Sequence, residues 1–68
     1  TQDYLNAEQR YKELIKEKPD LFQLYQALSE IYDRTNRRSK AILLIRNFIK
    51  SNPGSQAAID YYKELTDR

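Results

Sequence analysis

The residues of this chain best suited to acid–base chemistry are carboxylates one helical turn apart, Glu13 with Glu17 and Asp60 with Glu64. Such pairs could divide a proton between them or hold Mg²⁺. Splitting two carboxyl proton affinities requires a concave, partly dry pocket. Glu13, Glu17 and Glu64 instead have lysine neighbours that make ordinary surface ion pairs of them. The chain contains no His and no Cys, which removes the preferred ligands of zinc and most transition metals, every thiolate nucleophile and every disulfide. Nothing else pairs a nucleophile with a base. The expectation is therefore no enzyme, no catalytic residue, no metal and no cofactor.

Charge and aromatic side chains offer binding chemistry instead. Residues 34 to 50 hold six cations, Arg34, Arg37, Arg38, Lys40, Arg46 and Lys50, and no anion. Arg34 and Lys50, each near a helix C-terminus, complement the helix dipole, whereas Arg37, Arg38 and Lys40 at a helix start do not. The cluster could meet an acidic partner, an anionic surface or nucleic acid, but a net charge of only +2 makes a solvated face the better reading. The spacing of Tyr11, Tyr25 and Tyr32 assigns them to a core and not to base stacking. Tyr61 and Tyr62 point to different faces, so one of them is expected at the surface, available for a contact.

The elements that position these residues follow from periodicity. Apolar residues recur at steps of three and four through Tyr4, Ala7, Tyr11, Leu14 and Ile15, and again through Leu21, Leu24, Tyr25, Leu28, Ile31 and Tyr32. The same spacing runs from Ala41 to Ile49 and from Ala58 to Leu65. Pro19-Asp20 and Asn52-Pro53-Gly54-Ser55 interrupt it, and Asn36 can take the left-handed conformation at a helix end. Four helices are predicted, at 3–17, 20–34, 37–51 and 55–67. Their short connections force antiparallel neighbours. The longest apolar run, Ala41 to Ile45, falls far short of the roughly 18 residues of a membrane span, so a soluble chain with a cytoplasmic default is expected. Without an initiator Met or a leader, the sequence reads as a processed product or an excised piece.

A beat of 34 residues underlies the helices: Ala7 recurs as Ala41, Lys16 as Lys50 and Pro19 as Pro53, while Glu30, Asp33 and Arg34 recur as Glu64, Asp67 and Arg68. A fixed period of this size marks stacked helical hairpins. Between Phe22 and Pro53 the residues Tyr25, Leu28, Ser29, Tyr32, Ala41, Ile45, Phe48 and Pro53 stand at spacings that resemble the tetratricopeptide repeat. The resemblance implies an all-α, right-handed solenoid in which a large residue like Tyr25 and a pair like Leu28-Ser29 let helix A approach helix B. The small residue like Ala41 then sits at the crossing and the proline like Pro53 ends helix B. By this resemblance residues 1–19 are helix B of a partial repeat, 20–53 a full repeat and 54–68 a further helix A or cap. Asn36 replaces the usual turn glycine. Lys63 replaces a small residue, which points to a capping role for the last helix.

In such repeats partners lie along the groove formed by helix A. The matching positions here are Gln23, Gln26, Ala27 and Glu30, then Ala57, Asp60, Tyr61 and Glu64. The Lys, Arg and Asn that clamp a terminal carboxylate in chaperone-binding relatives are missing from these positions, so that ligand is not expected. Glu30, Asp60 and Glu64 favour a peptide with basic or amide side chains anchored on Tyr61, against the plainer reading of solvated helix residues. The leading functional expectation is a protein-interaction module. The alternatives are self-association through open stack ends, since such arrays need about three units for stability, and nonspecific nucleic-acid binding through residues 34–50. Nucleic acid is the weaker alternative, because related repeats that read RNA keep a period of 35 and this chain keeps 34.

Overall fold

Amphipathic segments joined by turns too short to separate them give four α-helices, and a computed structural model describes them over residues 2–68. They are α1 (Gln2–Glu17), α2 (Phe22–Arg34), α3 (Arg38–Ser51) and α4 (Gln56–Asp67). No strand occurs among the described residues. No helix among them is long and apolar enough to cross a membrane.

The turns behave as their residues dictate. After α2, Asn36 adopts a φ of 65°. This lets the Asn36 and Arg37 amides fold back onto the Asp33 and Tyr32 carbonyls, at 3.4 and 2.7 Å. It is a Schellman closure with asparagine in the glycine role. Ser55 caps α4 by accepting the Ala58 amide at 3.4 Å. The start of α2 falls at Phe22, later than periodicity alone predicts, because Pro19 and Asp20 are taken up in a turn and Leu21 stays extended. The Tyr25 hydroxyl fixes that turn by donating to the Pro19 carbonyl at 2.7 Å.

The core forms where α2, α3 and α4 meet. Leu28 and Tyr32 of α2 face Ala41 and Ile45 of α3, and Tyr61 and Leu65 of α4 close the cluster. Ala41 and Ile45 are fully buried, as a close helix crossing requires of one small and one shape-matched side chain. Phe48 extends the cluster by packing on Tyr25 and Phe22, with ring centroids 4.7 and 5.4 Å apart. Among the described residues, α2 packs against all three other helices, whereas α1 packs on α2 without approaching α3 or α4 as a helix. The backbone fills a slab of 35 × 30 × 14 Å. The helices therefore lie side by side, and α1 has one face that no other helix covers.

Candidate functional site

The expected groove positions stand on α2 and α4, two helices that pack against each other. Gln23, Glu30, Ala57, Asp60 and Glu64 are exposed, and Gln26 and Ala27 half-buried. The groove carboxylates are partly engaged already: Asp60 accepts from Gln56 at 2.9 Å and Glu64 from Arg68 at 3.4 Å.

Tyr61 corrects the expectation made of it. It is only 6% exposed, its ring edge on Phe22 and its hydroxyl 2.7 Å from the Ser29 hydroxyl. Burial pushes its phenol pKa up, and the Ser29 hydrogen bond offsets part of that. Tyr61 occupies the repeat position of Ala27, but its larger ring fills the space between α2 and α4 instead of lining a groove. A buried ring cannot anchor a peptide. Tyr62, the other candidate, is half-buried, and its hydroxyl accepts from Arg46 at 3.2 Å.

The basic segment is also largely spent on the fold. Arg37 donates to Glu8 at 2.7 Å and to Thr35 at 3.0 Å, and lies over the Tyr32 ring at 4.9 Å. Arg38 reaches Asp33 at 3.5 Å and the carbonyls of Leu65 and Arg68. Lys40 sits 5.9 Å from the Tyr32 centroid. Arg34 on α2 and Arg46 and Lys50 on α3 are exposed, and of these Arg46 donates to the Tyr62 hydroxyl. The mismatch of Arg37 with the α3 dipole is offset by Glu8. Glu8 is 7% exposed, the one buried carboxylate among the described residues. Sequence inspection passes over it, because Lys12 at i+4 makes it look like a surface pair.

A different concavity lies between α1 and α2. It is an open cleft of about 380 Å³ lined by Asp3, Tyr4, Ala7, Tyr11, Ala27, Glu30, Ile31 and Arg34. Only Ala27, Glu30 and Arg34 belong to the sites expected from sequence. On the neighbouring α1 face a second hollow of about 330 Å³ runs along Asn6, Ala7, Arg10, Tyr11 and Leu14. The lining has an internal precedent. Adding 34 converts Ala7, Tyr11, Ala27 and Ile31 into Ala41, Ile45, Tyr61 and Leu65, the residues of α3 and α4 that enclose α2. It converts Tyr4 and Arg34 into Arg38 and Arg68, which hold Asp33 of α2. The surface that seats α2 at one end of the slab is thus repeated, unfilled, at the other.

No protein-family model, curated protein or solved structure matches the chain.

Proposed function

We propose that the chain is an interaction module of the tetratricopeptide-like, solenoid kind, and that its binding site is the cleft between α1 and α2. The ligand class is an amphipathic helix. One observation carries this reading: the residues lining the cleft are the 34-residue counterparts of those that bury α2. A surface with the shape and apolar content of a helix seat, left open, is suited to a helix that presents large residues at i, i+3 and i+7, as Tyr25, Leu28 and Tyr32 do. Of the exposed acidic residues, Glu30 lines the cleft and serves as part of its polar rim, whereas Asp60 and Glu64 stand on α4, away from the seat. The 34-residue period, the small residue at the α2–α3 crossing and the side-by-side helices support the solenoid reading.

The test is fluorescence anisotropy with a helix-stabilised peptide of residues 20–36, the α2 sequence itself. Ala7→Glu and Ala27→Glu should each weaken its binding by roughly tenfold or more, because burying an unpaired carboxylate costs well over ~1.4 kcal/mol. Equal affinity for the wild type and both variants would remove the cleft as the site.

A further inference from the structure

The seat occupied by α2 carries an electrostatic lock at one end. Asp33 takes Arg68 at 2.8 Å and Arg38 at 3.5 Å, fixing the last turn of α2 against α4 and the start of α3. At the matching end of the open cleft stands Arg34, exposed, hydrogen-bonded to Tyr4 of the same cleft and near Glu30, but in no salt bridge among the described residues. A guest helix seated as α2 is seated would bring an acid to Arg34 from the position of Asp33. The other specific feature of the cleft is Ala27, where the filled seat has Tyr61. The small side chain leaves room for a longer guest residue than Ser29, and Glu30 lies one turn further on.

One helix of the chain meets both requirements. In α4, the counterpart of Asp33 is Asp67 and the counterpart of Ser29 is Lys63. Both are exposed, and neither forms an ion pair among the described residues. On the same face Ile59 and Tyr62 stand at the positions of Tyr25 and Leu28, and both are only half-buried. The face that α4 turns inward in its own molecule is centred on Ala58, Tyr61 and Leu65, with Tyr62 packing at its edge and keeping only part of its ring outward. It can therefore serve its own core and a second molecule together.

We propose that the occupant of the cleft is α4 of a second copy of this chain, an inference that rests on the helix-binding reading above. Asp67 of the guest meets Arg34 of the host, Lys63 of the guest fills the space over Ala27 toward Glu30, and Ile59 and Tyr62 cover Ala7, Tyr11 and Leu14. The surfaces joined are different on the two molecules, so a dimer keeps one free cleft and one free α4, and further copies add head to tail. One helix face buries less than the ~1,200 Å² typical of stable complexes. Association is accordingly weak, with a Kd on the order of 0.1 mM.

Sedimentation equilibrium from micromolar to millimolar concentration tests this with Arg34→Asp, Asp67→Arg, their equimolar mixture and the double variant. Both positions are exposed, so folding, checked by circular dichroism, is retained. The wild type should pass through dimer to larger species. Each single variant should associate at least about tenfold more weakly, as like charges replace an attractive pair. The mixture and the double variant should recover, because opposite charges again face each other. A wild type that stays monomeric to about 1 mM, or an Asp67→Arg variant that associates as well as wild type, overturns α4 as the occupant. If the helical peptide of residues 20–36 still binds the cleft, the interaction-module reading survives that result; if it does not, both fall.

Discussion

The Glu8 carboxylate receives the Arg37 guanidinium at 2.7 Å, tying the middle of α1 to the turn that leads into α3. Lys12 approaches the other carboxylate oxygen at 3.1 Å, so both acceptor atoms of a buried acid are occupied. The hydrogen bond from Arg37 holds the Glu8 pKa below the usual carboxylate range, against the opposing push of burial and with help from Lys12. A carboxyl group that ionises more readily when folded contributes stability above its unfolded value of about 4.3 and loses it as pH falls through the lower folded value. Urea midpoints should therefore fall between about pH 5 and pH 3, and Glu8→Gln should flatten that acid limb while lowering stability at neutral pH. A variant with an unchanged acid limb would place the titrating group elsewhere.

The Ser29–Tyr61 pair makes a second, independent prediction. Their hydroxyls are buried 2.7 Å apart, with Ser29 also donating to the Gln26 carbonyl. Tyr61→Phe and Ser29→Ala should each cost about 1 kcal/mol, and the double variant less than the sum, because both single changes remove the same hydroxyl–hydroxyl bond. Because burial raises the Tyr61 pKa, the associated stability is complete below the ordinary phenol value of about 10 and is lost as pH rises through the folded one. A double-mutant cycle on denaturation free energies reads the coupling directly.

Repeat-equivalent alanines should respond differently. Ala41 is fully buried at the α2–α3 crossing, whereas Ala7 faces the open cleft. Ala41→Leu should destabilise by about 1–3 kcal/mol through overpacking. Ala7→Leu, measured at dilute concentration, should stay within about 0.5 kcal/mol of wild type. Similar losses at both positions would mean that the cleft is filled.

Asn36 is the one non-glycine residue with positive φ among those described. Asn36→Ala should cost about 1 kcal/mol, since a Cβ without a compensating polar group is strained there. Asn36→Gly should leave the thermal midpoint nearly unchanged. Thermal unfolding of the two variants side by side separates backbone strain from any side-chain role.

Much of the architecture was legible because it rests on local rules. Pro19 and Pro53 mark helix ends, Asn36 closes α2, and the apolar steps of three and four place Leu28, Ala41 and Ile45 in the core. What sequence missed depends on which residues distant in the chain become neighbours. Glu8 meets Arg37 across 29 positions and Ser29 meets Tyr61 across 32, and no periodicity announces either. Repeat arithmetic placed Tyr61 in the groove because its counterpart is Ala27. Side-chain volume reversed that, since a ring at that position fills the interhelical space that an alanine leaves open. The cleft is hidden in the sequence for the same reason: its residues fall there into separate groups, core apolars, groove positions and a basic run. Only the arrangement of α1 on α2 brings Tyr4, Ala7, Tyr11, Ala27, Ile31 and Arg34 to one surface.

Where a helical ligand sits is measured directly by amide chemical-shift mapping of the ¹⁵N-labelled chain during titration with the helix-stabilised peptide of residues 20–36. Seating in the cleft predicts that the largest shifts fall at Ala7, Tyr11, Ala27, Ile31 and Arg34 and fade toward α4. Shifts centred instead on Gln23, Ala57, Asp60 and Glu64, or none at millimolar peptide, would contradict it.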